Sequence, residues 1–153
     1  MKFTEEYMNL FDNTNDYALV QCLSADFAYG GARAGIAAEF NRRLNTKAYL
    51  SEKYPDFYAD WTANGKTHGC VVADRDYIVL NLITKERYFN KPTLETMRGA
   101  LEDMKVECLL RNINKIAMPK IGCGLDKLAW NDVKKCISDT FSDTNIEIKA
   151  CFY

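Results

Sequence analysis

A lysine set directly behind an apolar run, Ile83-Thr-Lys85, and an aspartate closing a glycine-broken turn, Ile121-Gly-Cys-Gly-Leu-Asp126, have side chains suited to nucleophilic and acid–base chemistry. A lysine amine attacks only when partly neutral, which desolvation beside a pocket favours, whereas a hydrated ammonium is inert. On composition alone both have ordinary explanations. Most lysines are solvated surface charges, and an aspartate ahead of a helix is commonly a cap or first-turn carboxylate. A second glycine-rich stretch, Ser24-Ala-Asp-Phe-Ala-Tyr-Gly-Gly-Ala-Arg-Ala-Gly35, offers backbone rather than side-chain chemistry. Glycine lets main-chain N–H groups turn toward a ligand, and a following helix N-terminus favours an anion. Two such loops facing each other would clamp a diphosphate, while either alone is equally well explained as a tight turn. Neither is a standard nucleotide loop. Gly30 and Gly35 have the spacing that opens a P-loop, but Ile36 stands where its lysine belongs, and no G-x-G-x-x-G occurs.

The elements that must position these residues alternate between two periods. Tyr17-Ala-Leu-Val-Gln-Cys-Leu23 is a continuous apolar run of the kind a buried strand shows, and the first glycine-rich loop follows it. The spacing of Ile36, Ala37, Phe40 and Leu44 predicts a helix over about 35–45. Cys70 to Ala73 and Tyr77 to Ile83 read as a hairpin about Asp74-Arg75-Asp76. From Thr93, a plausible N-cap, to Leu110 the residues Leu94, Met97, Leu101, Met104 and Cys108 recur at three and four, a helical stripe. Lys115 to Pro119 reads as a buried strand ended by Gly122-Cys-Gly124. A helix over about Asn131 to Phe141 and a last strand from Ile146 to Tyr153 complete the chain. Strands alternating with helices predict an α/β layered domain with a partly parallel sheet, in which ligands bind at the carboxyl ends of the strands.

At 153 residues and 48% hydrophobic content, one domain with a real core is expected and disorder is excluded as the main state. Lys and Arg number 20 against 21 Asp and Glu, a net charge of −1, so no strongly basic face is available and binding to duplex nucleic acid is disfavoured. Six cysteines without a C-x-x-C pair, together with His68 as the single histidine, argue against a zinc site and call for no metal. Reduced core thiols are favoured over disulfides. The opening MKFTEEYMNLFDN has no apolar h-region, and no run approaches a membrane span, so an untargeted, cytoplasmic protein without membrane contact is expected.

Taken together, Ile83-Thr-Lys85, Lys91-Pro-Thr93, Met118-Pro-Lys-Ile-Gly-Cys-Gly-Leu-Asp126 and Trp130 resemble the macrodomain family. The branch most similar is the one typified by terminal ADP-ribose protein glycohydrolase, and the likeness runs from about Asn9 to the last strand. It implies a single macrodomain over 1–153, a three-layer α/β/α sandwich about a central mixed sheet, acting as a monomer on ADP-ribose or ADP-ribosylated protein without a cofactor. By resemblance, Lys85 attacks the anomeric carbon of the distal ribose, and Asp126 is the acid/base that activates it and assists acyl release. Gly122, Cys123, Gly124 and Leu125 would hold the diphosphate and distal ribose. Ala34, Gly35 and Ile36 would supply the opposing amides, with Ser24 nearby. Asn9, Leu10, Gln21, Thr84, Pro119, Ile121 and Phe152 complete the implied binding set.

Three features depart from the family pattern. Met8-Asn9-Leu10-Phe11 replaces the usual carboxylate that accepts from the adenine amino group by an amide, which accepts without charge assistance. Arg33 stands where a small residue is usual, and an aromatic contact from the last strand must come from Phe152 or Tyr153. The implied function is removal of ADP-ribose from glutamate or aspartate side chains. The alternatives are an ADP-ribose 1″-phosphate phosphatase, which would not need Lys85, and a non-catalytic ADP-ribose reader. The joint presence of Lys85 and Asp126 favours the hydrolase.

Overall fold

A computed structural model describes residues 1–28 and 35–152. Among these, the strands are β1 (Lys2–Tyr7), β2 (Ala18–Ser24), β3 (Gly69–Asp74), β4 (Ile78–Lys85), β5 (Lys115–Met118) and β6 (Glu147–Phe152). The helices are α1 (Gly35–Leu44), α2 (Thr46–Lys53), α3 (Phe57–Ala63), α4 (Leu94–Arg111) and α5 (Trp130–Phe141), and a 3-10 turn, Leu10–Asn13, joins β1 to β2. The strands form one mixed sheet in the order β1-β6-β5-β2-β4-β3. All neighbours are parallel except β3, which pairs antiparallel with β4 as the expected hairpin.

Successive residues of the central strands go to opposite faces, as the pleat requires. Val20, Leu80 and Ile116 join Met97, Leu101 and Met104 of α4 and Val133, Ile137 and Phe141 of α5 in one core. Their neighbours Leu19, Val79 and Ala117 pack with Phe40 of α1, Leu50 of α2 and Trp61 of α3 in the other. The result is the expected three-layer sandwich. Continuous apolar runs are thus what strands buried on both faces must show.

Thr93 caps α4 as its position predicts: its hydroxyl accepts from Thr96 N–H at 3.1 Å, and the Thr96 hydroxyl accepts from Thr93 N–H at 3.0 Å. The helix buries Met97, Ala100, Leu101, Met104 and Cys108, whereas Leu94, expected on the same stripe, is 38% exposed in the first turn. Three elements have no clear signal in the sequence. β1 is an edge strand with no buried position, and α2 and α3 are short helices whose fully packed apolar anchors are Leu50 and Trp61 alone.

His68 ties the start of β3 to α4. Its Nδ1 lies 2.7 Å from Asp103 Oδ2, and its ring occupies the notch left by Gly99, where a Cβ would come within 2.4 Å of the imidazole. In an exposed helix Gly→Ala stabilises by about 1 kcal/mol. Here that gain is expected only once the ring is gone. Gly99→Ala should be neutral or destabilising in the wild-type chain but stabilising, by about 1 kcal/mol, in a His68→Ala background, as read by chemical denaturation. Equal effects in both backgrounds would remove His68 from the notch.

Candidate active site

Parallel pairing puts the carboxyl ends of β1, β2, β4, β5 and β6, at Tyr7, Ser24, Lys85, Met118 and Phe152, on one edge of the sheet. The segments leaving those ends meet there. The β2–β4 register shifts between Leu23 and Ser24, and the ladder continues past both strands, with Ala25 N–H donating to Lys85 O at 2.9 Å and Asp26 N–H to Glu86 O at 3.2 Å. Asp26 then organises the turn: Oδ1 accepts from the Ser24 hydroxyl and, at 3.1 Å, from Ala28 N–H, while Oδ2 accepts from Tyr88 N–H at 3.3 Å. Phe27, held at φ +53°, stacks on Phe57 of α3 with ring centroids 4.9 Å apart. The start of the first glycine-rich loop is therefore fixed to both β4 and α3.

Lys85 Nζ donates to Asp126 Oδ1 at 2.7 Å, and the two side chains retain 13% and 16% of their exposure. A charged pair this close and this shielded interacts far more strongly than one in open solvent. The loop that carries Asp126 is shaped from within by Leu128 N–H to Gly122 O, 2.7 Å, and Lys127 N–H to Gly124 O, 3.2 Å, and from outside by Lys91 Nζ donating to Leu125 O at 2.8 Å. The N–H groups of Gly124, Leu125 and Asp126 have no acceptor among the described residues. They are the free donors an anionic ligand would meet. Gly35, at φ +82°, lies so close to Leu125 that a Cβ on it would be 3.5 Å from the leucine Cδ1. Gly35, the last residue of the first glycine-rich loop, thus faces the second.

Two glycines of the second loop serve different ends. Gly122 has φ +72°, and a Cβ there would come within 2.7 Å of Met97 Cε and 3.0 Å of Leu128 Cδ1. Gly124 is exposed, with nothing within 4 Å of the corresponding position.

Ser24, Gly35, Ile36, Thr84, Pro119, Cys123 and Phe152 all lie at or beside this edge. Thr84 is 1% exposed, and its hydroxyl has no partner among the described residues. Phe152 carries the Lys120 ammonium 4.4 Å over its ring and meets Tyr7 edge-on at 6.3 Å. Asn9 Oδ1 accepts from Phe11 N–H at 2.9 Å, capping the 3-10 turn and using one lone pair of the amide oxygen. Leu10 and Ile121 have core side chains, 4% and 2% exposed, so only their backbones can meet a ligand. Gln21 lies deeper. It is fully buried in mid-strand, donating to Asn81 Oδ1 at 2.7 Å, because a residue three short of the strand end faces the core. Ala34, like Arg33 and Tyr153, is outside the described residues.

Asp26 and Cys22 are site residues the sequence did not single out. The Ser-x-Asp pattern of an Asx turn could have flagged the first. Cys22, in a strand, reads as a small apolar residue, and all six cysteines are free. Burial pushes its thiol up, the Asp126 carboxylate adds to that, and the Lys85 ammonium and the Gly122 N–H oppose it. Cys22 thus lies near enough to the Lys85–Asp126 pair for both charges to act on it.

No family model matches the sequence. The fold aligns with the macrodomain of Thermus aquaticus DarG at a TM-score of 0.76 and 20% identity, covering 99% of this chain and 98% of that one. It also aligns with Thermosipho africanus DarTG in complex with ADP-ribose at a TM-score of 0.78 and 15% identity, covering 100% of this chain and 42% of that one. In sequence the chain is 36% identical over 141 residues to ADP-ribose glycohydrolase OARD1 of Bos taurus, covering 92% of this chain and 84% of the relative. The chain belongs to the macrodomain family. The Homo sapiens OARD1 is 34% identical over the same length, again 92% of this chain and 84% of the relative. In this macrodomain the glycine loops and the Lys85–Asp126 pair thus sit on a scaffold shared at both levels of comparison.

The contrast between Gly122 and Gly124 is measurable. Gly122→Val should destabilise the macrodomain by about 2–4 kcal/mol through strain and overpacking, whereas Gly124→Val should stay within about 0.5 kcal/mol, both by denaturant titration. Similar losses would mean that Gly124 is packed. The thiols give a second check. Burial pushes Cys108 up to about 12 and raises Cys22 and Cys70 as well. A raised thiol value means folding favours the protonated form, so its contribution to stability is complete below the free-thiol value and drains away as pH rises through the folded one. Iodoacetamide at pH 8 should leave Cys108, 1% exposed, unmodified in the native state and label it in denaturant, by mass spectrometry. Rapid native labelling of Cys108 would contradict this burial.

Proposed function

We propose that this macrodomain is an ADP-ribosyl-acceptor hydrolase that releases ADP-ribose from modified glutamate or aspartate side chains, with Lys85 as nucleophile and Asp126 as acid/base. The observation that carries the reading is the shielded 2.7 Å contact between Lys85 Nζ and Asp126 Oδ1, the latter closing a glycine-rich loop whose Leu125 meets Gly35. The family relationship to proteins named ADP-ribose glycohydrolase supports the ligand.

In this reading the free amides of Gly124, Leu125 and Asp126 receive the diphosphate and distal ribose, with Gly35 and Ile36 opposite. Asp126 takes a proton from the Lys85 ammonium. The amine then attacks C1″ of the ribose, forming a C1″–Nζ bond as the C1″–O bond to the acyl group breaks with its electron pair, and the acceptor leaves as a carboxylate. Ring opening gives a protonated imine on Lys85. Water adds at C1″, Asp126 handles the proton, and cleavage of the C–N bond returns the lysine and free ADP-ribose. One water is consumed and no other reactant is needed.

Lys85→Ala should abolish release of ADP-ribose from a glutamate-linked substrate while changing the affinity for free ADP-ribose only a few-fold, since the lysine acts in the chemical step. Lys85→Arg should be as inactive, because a guanidinium stays protonated. Asp126→Ala should also stop turnover. Thermal melts of each variant are needed alongside, because truncating one partner leaves a shielded charge unpaired. Borohydride added during turnover should trap a sugar adduct on Lys85, located by peptide mass spectrometry. Full activity of Lys85→Ala on any ADP-ribosyl substrate would overturn the mechanism.

A further inference from the structure

Of the stretches singled out in the sequence, Lys91-Pro-Thr93 has no part in the mechanism above. Two of its residues serve the fold. Thr93 forms the capping box that opens α4, and Pro92 is buried and restricts the residue before it to extended backbone. Lys91 is different. It lies on the surface, yet its ammonium reaches a residue 34 positions away, donating to Leu125 O at 2.8 Å. Among the described residues no carboxylate forms an ion pair with it, so its positive charge rests against one carbonyl of the second glycine-rich loop.

The choice of carbonyl matters. Leu125 C=O and Asp126 N–H belong to the same peptide group, and that N–H is one of the three in the loop with no acceptor among the described residues. A cation on the oxygen of a peptide draws electron density from its nitrogen and makes the N–H a stronger donor. The same peptide sets the point from which the Asp126 side chain departs, so turning it would carry the carboxylate away from Lys85 Nζ, 2.7 Å distant. Little else holds the tip of the loop. Its base is packed, with Gly122 against Met97 and Leu128. At the tip, Gly124 meets nothing within 4 Å of its missing Cβ, and the Leu125 side chain is 66% exposed. Lys127, next after Asp126, sits at φ +63°, where a side chain is disfavoured. Three unpaired N–H groups followed by a left-handed lysine need a tether from outside the loop, and Lys91 is that tether. Its own footing is firm: the Arg87–Asn90 turn and the Tyr88 N–H to Asp26 bond precede it, and the capped start of α4 follows it.

We propose that Lys91 is a positioning residue, whose ammonium fixes and polarises the Leu125–Asp126 peptide. One contact thereby governs both the strength of the Asp126 amide toward an anionic ligand and the placement of the Asp126 carboxylate against Lys85. The second consequence rests on the hydrolase reading above; the first does not. Lys91 acts through Asp126 and needs no contact with substrate. A single donor bearing a positive charge is all the geometry asks for, so arginine can stand in for it, whereas an apolar chain of similar length cannot.

The test uses Lys91→Met, which keeps an unbranched side chain and removes charge and donor together, beside Lys91→Arg. Lys91→Met should lower kcat on a glutamate-linked ADP-ribosyl substrate about ten-fold and weaken binding of free ADP-ribose, by calorimetry, about ten-fold, while Lys91→Arg holds both within about two-fold. In 1H–15N spectra the Asp126 amide should shift in Lys91→Met and return toward its wild-type position in Lys91→Arg, with the Gly122 amide at the packed base unmoved. The side chain is on the surface, so the melting temperature should not change. Unchanged kcat and affinity in Lys91→Met overturn the proposal. So does a defect that Lys91→Arg shares in full, or one that comes with a lowered melting temperature and a displaced Gly122 amide, which marks a merely structural role. Should the wild-type protein release nothing from the glutamate-linked substrate, the hydrolase reading falls, and the affinity and the Asp126 amide still decide the role of Lys91.

Discussion

Parallel pairing of five strands is the constraint on which the rest of this structure depends. Because β1, β6, β5, β2 and β4 run the same way, every loop that leaves a carboxyl end emerges on one edge. Lys85 and Asp126, 41 residues apart, become neighbours at 2.7 Å with no local interaction to bring them together. The antiparallel β3 contributes differently. It covers the outer edge of β4 as far as Ile83, so that the strand carrying Lys85 is paired on both sides up to that point, and Lys85 itself pairs with Ser24 of β2.

Rigidity at the strand ends is passed to the loops by a few polar contacts. Asp26 links the β2 turn to the segment after Lys85, and Lys91 links that same segment to the loop of Asp126. Each is a side-chain bond to backbone, which fixes chain path as well as side-chain position. Gly122 completes the arrangement at a positive φ, pressed against Met97 of α4 and Leu128, while Gly124 faces open space. One glycine is there for packing and the other for access. The motif Gly-Cys-Gly alone gives no means of telling them apart.

Lys85 and Asp126 confine opposite charges in a shielded place, and nearby Cys22 is held as a thiol. A neutral thiol adds no third charge to the pair. That suits a site in which a proton has to pass between an amine and a carboxylate.

The sequence by itself determined the alternation of strands and helices, the β3–β4 hairpin, the Thr93 cap of α4 and the glycine-rich junctions, because each follows from local period or turn chemistry. The motifs about Lys85 and Asp126 were legible for the same reason: their residues are contiguous. β1, α2 and α3 were not, since an exposed edge strand and helices with one deep anchor apiece take their structure from what they pack against. Tertiary structure alone decided that Gln21 is buried against Asn81, that His68 fills the Gly99 notch, and that Cys22, Asp26 and Lys91 frame the pair. These are contacts between residues distant in the chain or on different elements. Spacing within a strand or helix carries no information about them; the order and direction of the strands do.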